Sequence, residues 1–244
     1  MSRLDPRLLL QGYATGIFPM ADSRDADELF WVEPRNRAII PLERFHLSRS
    51  LRRTLRSGKF VVTHDQDFKG VIAACAEREE TWINAELEEA MIALQRSGHA
   101  HSIEVLEEGE LVGGLYGVKL GRAFFGESMF SRRTDASKVA LAWLVARLRV
   151  GNFTLLDCQF MTEHLASLGA ISIPRDTYVA LLSAALGAGA AAGGASAEFA
   201  AGVDPPPEAP PDFTALDRLL EDAGALGAAG PAGYVIAQLL GQTS

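Results

Sequence analysis

"SIEVLEEGELVGGLYGVKLGRAFFGESMF", residues 102–130, decides the fold. Its first residues alternate apolar and polar in the manner of a half-buried strand. Glu108-Gly109-Glu110 then supplies a turn into residues 111–120, and Gly121-Arg122 supplies the next turn into residues 123–130. Three strand-length runs joined by two tight turns predict an antiparallel meander. Downstream, Asp135 is placed to cap the helix "ASKVALAWLVARLRV", which is apolar nearly all round and therefore predicted to be buried. "FTLLDCQF" follows as a strand. A helix "TEHLASLG" ending at Gly169, a short strand "ISI" and a last helix from near Pro174 complete the run. A meander followed by helix, strand, helix and strand predicts an α/β (α+β) fold, with a mixed sheet flanked by helices.

Upstream, "DPRLLLQGYATGIF" reads as a short helix opened by Asp5-Pro6, and the acidic "ADSRDADE" reads as a loop before "LFWVEPRNRAIIPL". A second helix starts at the cap Ser48 and stops at Gly58. Its Arg49, Arg52, Arg53 and Arg56 are spaced by three and four, so they share one broad face. At residue 185 the composition changes. "ALGAGAAAGGASAEFAAGVDPPPEAPPDF" has too little apolar bulk to offset its own ordering entropy, and it reads as a linker or loosely ordered tail. "TALDRLLEDAGAL" can form a short helix beyond it, and "YVIAQLL" can dock on the body.

With 244 residues, 48% of them hydrophobic, the chain is long enough to bury a substantial core. No apolar run approaches the roughly 20 residues of a membrane-spanning helix, and "MSRLDPRLLL" lacks the apolar stretch of a secretory signal, so a cytoplasmic address is expected. The formal net charge of −8 argues against nucleic acid as a partner until its distribution is considered. Residues 185–244 hold seven acids and one base, which leaves only −2 on residues 1–184. Cys75 and Cys158 are far apart, flank no metal-like spacing and read as core thiols. His46, His64, His99, His101 and His164 are scattered and complete no metal site.

Several side chains stand out chemically. On a strand of period two, Asp157 and Gln159 share a face and Cys158 takes the other. An acid and a carboxamide on one face can hold a nucleophile and stabilise charge, or can simply cap neighbouring backbone. Glu127 sits among Phe124, Phe125, Met129 and Phe130, where an unpaired carboxylate is costly. It either pairs with Arg132 or Lys138 or receives a cationic substrate. The glycines form no dinucleotide or phosphate-binding loop before a helix. Ser128 is not in a nucleophile elbow, and a Cys158–His164 couple is disfavoured by the alternation. The arginine helix, with Arg132, Arg133 and Lys138, can neutralise phosphates or be a solvated face. Trp31 and Trp82 are candidates for base stacking, whereas Trp143 lies in the buried helix.

In order along the chain, "GIFPM", "FHLSRSLRR", "TWI", "GHAHSIEV", "LVGGLYGV", "FFGESMFSR", "ASKVAL", "LLDCQ", "HLASLGA" and "IPRDTY" resemble the leucyl/phenylalanyl-tRNA–protein transferases over about residues 8–181. The resemblance implies a bacterial cytoplasmic enzyme, expected to be a monomer. It would move leucine or phenylalanine, with methionine a further candidate, from aminoacyl-tRNA to the α-amino group of proteins that begin with arginine or lysine. The product would carry an N-degron for regulated proteolysis, and no metal or separate cofactor is implied. It also implies a small N-terminal domain, here residues 1–45, a GNAT-like acyltransferase domain, residues 46–184, and the tail, residues 185–244.

By the same resemblance the catalytic pair falls on Asp157 and Gln159, and the acidic residue facing the acceptor falls on Glu127. The aminoacyl pocket falls on Leu115, Phe124, Met129, Leu144, Leu148 and Leu156. Adenosine stacking falls on Trp82 and on Met20, which stands where the family has a second tryptophan and offers a thioether in place of a ring. The tRNA phosphates fall to Arg49, Arg52, Arg53 and Arg56. A reduced N-terminal domain is expected relative to members with an extra leading segment, and residues 185–244 have no counterpart in the resemblance. Asp157, acting through Gln159, is expected to accept the acceptor amine's proton. The competing readings are an acyl-CoA-dependent N-acyltransferase of the GNAT fold and a noncatalytic RNA-binding module. The first would need a glycine-rich pyrophosphate loop, which "FMTEHLASLG" does not offer.

Overall fold

The computed structural model describes residues 4–77, 81–187, 209–225 and 229–241. In chain order the first elements are α1 (Pro6–Thr15), β1 (Phe18–Ala21), β2 (Leu29–Val32), β3 (Asn36–Ile40), α2 (Arg49–Arg56), β4 (Val61–His64), α3 (Phe68–Ala76) and α4 (Ala85–Arg96). The meander and its sequel follow as β5 (Ala100–Glu107), β6 (Glu110–Leu120), β7 (Ala123–Ser131), α5 (Ala136–Val150), β8 (Leu155–Gln159), α6 (Glu163–Ser167), β9 (Ile171–Pro174) and α7 (Arg175–Ala185). Two further helices are α8 (Ala215–Asp222) and α9 (Ala229–Leu239).

The turn at Glu108 and Gly109 has positive φ at both positions, 53° and 85°, which matches the twist of the strands it joins and fixes β5 against β6 with Glu107 opposite Glu110. Seven strands lie in the order β4-β5-β6-β7-β8-β3-β9. Neighbours are antiparallel except β7 and β8, which run parallel because α5 carries the chain across between them. Their pairing is short, from Ala123↔Leu155 to Phe125↔Asp157. Beyond it β7 pairs with β6 alone and β8 with β3 alone. β1 and β2 form a separate two-stranded ribbon.

The sheet separates two apolar clusters. One gathers Leu51 and Leu55 of α2, Leu141 and Leu144 of α5, Leu216 of α8 and Ile236 of α9. The other gathers Leu9 of α1, Ile72 of α3, Leu87 of α4 and Tyr178 of α7. As its sequence demands, α5 is buried on nearly every side.

Four readings change. Residues 36–40, grouped by sequence with the small N-terminal unit, are β3, an inner strand between β8 and β9 that buries Ala38, Ile39 and Ile40. Asp135 occupies the position before α5 but is left-handed, with φ 68°, and makes no capping hydrogen bond; its carboxylate instead meets Lys138 at 3.1 Å and Thr54 at 3.4 Å. β4, α3 and α4 were not anticipated, although Asp67 and Asn84 cap the two helices through Gly70 and Leu87. Phe213, at the end of the run that composition marks as loose, is buried; beyond it the short helix expected of "TALDRLLEDAGAL" and the docking expected of "YVIAQLL" are found, burying Leu216, Leu220, Ile236 and Leu240, and each such large side chain contributes about 1.5–3 kcal/mol. The low-complexity residues 188–208 lie outside the described residues. Among the described residues no helix is long and apolar enough to cross a membrane.

Candidate active site

Strand β8 carries Asp157 into complete burial, at 0% exposure. Such a carboxylate must be paired, and Arg37 of β3, itself 1% exposed, meets it through Nη2 at 2.6 Å and through Nε at 2.9 Å. Tyr178 donates its hydroxyl to Oδ2 at 2.8 Å, and the Gln159 N–H donates to Oδ1 at 2.8 Å. The Arg37 guanidinium is also stacked against Phe18 at 4.5 Å and Tyr178 at 4.7 Å, and it donates to the Gly16 carbonyl. Both Asp157 oxygens are therefore occupied.

The expected alternation does not survive at this point. The β3–β8 register shifts between Ala38 and Ile39, and Gln159 adopts φ 62°, held there by its bond to Asp157. As a result Gln159 and Cys158 both line a cavity while Asp157 stays behind the wall. Burial pushes the Cys158 thiol well above its ordinary range, so it is protonated and a poor nucleophile.

The cavity has a volume of about 450 Å³ and lies where β7 and β8 cease to pair. Leu115, Met129, Leu141, Leu144, Leu156 and Leu165 form its apolar side. Phe124 and Leu148, expected in this lining, are fully buried behind it, where Phe124 stacks on Phe213 at 5.7 Å. The polar end is Glu127, 7% exposed. Its Oε1 accepts from the Tyr13 hydroxyl at 2.9 Å and from Gln159 Nε2 at 2.8 Å, whereas Oε2 is buried without a partner. Burial, reinforced by the Asp157 charge, pushes this carboxyl up to about 8. It pairs with neither expected cation, since Arg132 meets Glu77 and Lys138 meets Asp135.

Trp82 lines the same cavity, and so does Phe160, an aromatic left 45% exposed that packs edge-on to Phe18 at 5.6 Å. Met20 does not line it. Its strand lies alongside, for the Ala21 N–H donates to the Trp82 carbonyl at 3.1 Å. His164 lines the cavity too, with a buried Nε2 that has no partner; burial lowers its pKa below the ordinary value, so the ring is neutral at pH 7. On α2, Arg49, Arg53 and Arg56 are exposed and Arg52 is half-buried. Sequence reasoning missed Arg37, Tyr13, Tyr178 and Phe160. The one signal for Arg37 was a charge opening the apolar "AII", and its partner lies 120 residues away.

The model of the family described as "Leucyl/phenylalanyl-tRNA protein transferase" matches residues 39–183, and that of the family's N-terminal domain matches residues 2–35. The leucyl/phenylalanyl-tRNA–protein transferase of Rhizorhabdus wittichii is 59% identical over 253 residues, covering all of both chains, the extension included. Those of Zymomonas mobilis and Ruegeria pomeroyi are 60% and 55% identical, over 75% and 84% of this chain and 70% and 94% of theirs. Among solved structures the chain is similar to L-PGS from Bacillus licheniformis at 14% identity and a TM-score of 0.38, covering 66% of this chain and 54% of that one, too distant to bear on the site.

Proposed function

The chain belongs to the leucyl/phenylalanyl-tRNA–protein transferase family, and from that premise we propose that the transfer takes place in the cavity between β7 and β8. The protein is an aminoacyltransferase that moves leucine or phenylalanine from aminoacyl-tRNA to a protein. The observation that carries the placement is the buried, unpartnered Glu127 Oε2 at the polar end of an otherwise apolar cavity. The cavity's size falls within the range of about 300–1,000 Å³ usual for ligand sites.

In this reading the leucyl or phenylalanyl side chain lies against Leu115, Met129, Leu144 and Leu156. Methionine, also apolar and without a branch at Cβ, is a further candidate. The acceptor's α-amino group docks on Glu127 Oε2. A free α-amino group titrates near 7.7–8, and Glu127 titrates near 8, so a proton passes between them at little cost. The amine nitrogen attacks the ester carbonyl carbon, a C–N bond forms, and the bond to the ribose oxygen breaks. Glu127 takes the proton that the nitrogen loses. The departing oxygen takes up a proton from Glu127, which so gives back the one it received, and the unpartnered His164 Nε2 lining the same cavity can hydrogen-bond the freed hydroxyl.

Gln159 orients the amine while holding Glu127. Asp157, sealed behind the wall, is a positioning residue that sets the Gln159 backbone; the proton-accepting role expected for it passes to Glu127. The ester is already activated, so alignment supplies most of what the reaction needs, and this reading calls on no metal or cofactor.

Acceptors beginning with arginine or lysine bring a cation toward Glu127, which favours its ionised form and so favours them by charge. The product then carries an N-terminal leucine or phenylalanine as an N-degron. Trp82 and Phe160 stack the terminal adenosine, with Met20 at its edge, and α2 takes the tRNA phosphates. The protein works as a cytoplasmic monomer. The test offers leucyl-tRNA or a leucyl-free acyl-CoA to peptides that start with arginine or alanine. A new peptide bond is expected from leucyl-tRNA on the arginine peptide. Transfer from acyl-CoA, or none from leucyl-tRNA, overturns the reading.

A further inference from the structure

Residues 209–241 lie beyond the match to the family model, yet α9 is seated directly on the arginine helix. The crossing is at Gly233, where a Cβ would fall 1.8 Å from the Leu55 carbonyl oxygen, so only glycine permits it. At one side of the crossing the Arg56 guanidinium stacks over the Tyr234 ring at 5.4 Å; at the other, Arg52 lies against Gly241. Tyr234 is 55% exposed, more than any other large apolar side chain among the described residues.

The charge beside it is set apart by its clustering, since among the described residues Arg35, Arg44 and Arg96 also form no ion pair but each stands on a different element or loop. Arg24, Arg132, Arg147, Arg149, Arg175 and Arg218 each meet a carboxylate. Among the described residues, none of Arg49, Arg52, Arg53 and Arg56 forms an ion pair. Four unneutralised guanidiniums on eight residues, in a chain of net charge −8, make a local anion-attracting face. An exposed ring among such cations is the combination that binds single-stranded nucleic acid, in which cations take phosphates and the aromatic face takes a base.

We propose that α2 and α9 form one RNA-binding face, in which the arginines neutralise tRNA phosphates and Tyr234 stacks on an unpaired base of the same tRNA. The extension is then part of donor-substrate binding. This rests on the assignment of α2 to tRNA made above, and the test keeps the two apart.

The test measures the dissociation constant of uncharged leucine tRNA for the full chain, at several salt concentrations. Tyr234→Ala is expected to weaken binding about tenfold. Tyr234→Phe should stay within about twofold, and Tyr234→Leu, which keeps bulk but not the ring face, should bind as poorly as alanine. Arg49→Ala combined with Arg53→Ala should weaken binding and flatten the salt dependence. If leucine at position 234 serves as well as tyrosine, or alanine binds normally while the arginine variant is weakened, Tyr234 is not part of the face and the proposal is overturned, with α2 still on tRNA. If the arginine variant binds normally, the assignment of α2 fails, and the proposal with it.

Discussion

Arg37 on β3 and Arg147 on α5 are both buried guanidiniums that meet an aspartate and lie over aromatic rings, but the first pair is sealed and the second is not. Arg37 and Asp157 are 1% and 0% exposed, with Tyr178 and the Gln159 N–H filling the remaining acceptor positions. Arg147 and Asp217 are 3% and 24% exposed; Arg147 also donates to the Phe213 carbonyl at 2.7 Å and lies over that ring at 5.1 Å. His64 Nε2 joins Asp217 at 2.9 Å. The sealed pair joins strands of one sheet and fixes the backbone of a residue lining the cavity. The open pair joins the body to a segment whose composition marks it as separate. The same chemistry thus serves as a fixed internal strut in one place and as a joint in the other.

The comparison can be broken by removing each aspartate. Asp157→Ala leaves a buried guanidinium uncompensated, and a loss of about 3–5 kcal/mol is expected in urea unfolding, together with loss of transfer. Replacing both partners, Arg37→Met with Asp157→Leu, should recover most of the stability and none of the activity, because the Gln159 backbone loses its acceptor. Asp217→Ala should cost less, about 1–3 kcal/mol, since Arg147 keeps the Phe213 carbonyl. Equal losses for the two aspartates would erase the distinction.

The smallest expected effect sharpens the comparison by pH. Hydrogen bonds to Asp217 and then Asp65 raise the His64 pKa from its ordinary value to about 9. A raised histidine pKa contributes stability that is fully present below about pH 6.5 and is lost as pH rises through 9. The melting temperature should therefore fall between pH 7 and about 9.5, and His64→Gln should flatten that slope. An unchanged slope would mean that the joint is not held by the imidazolium.

How far these features were legible follows from the range of the signals. The meander was legible because alternation and glycine turns act within a few residues. α8 was legible for the same reason. The Asp157/Gln159 pair was legible as a polar interruption, yet its geometry was not, because the bulge that turns Gln159 and Cys158 into one cavity arises from pairing with β3. Arg37 and Tyr178 matter only through contacts 120 and 21 residues away in sequence. Phe213 sits at the end of a proline-rich run that composition alone marks as loose, and its burial depends on stacking against His101 at 4.1 Å and on Arg147.

The central claim is that Glu127, not Asp157, meets the acceptor amine. The measurement is the turnover of Glu127→Gln at saturating leucyl-tRNA with an arginine-starting peptide, beside its melting temperature. Burial already disfavours the charged carboxylate, so the amide should leave the melting temperature unchanged or raised while transfer falls roughly 100-fold or more. Turnover within about threefold of the unaltered protein, with the fold intact, would contradict the account.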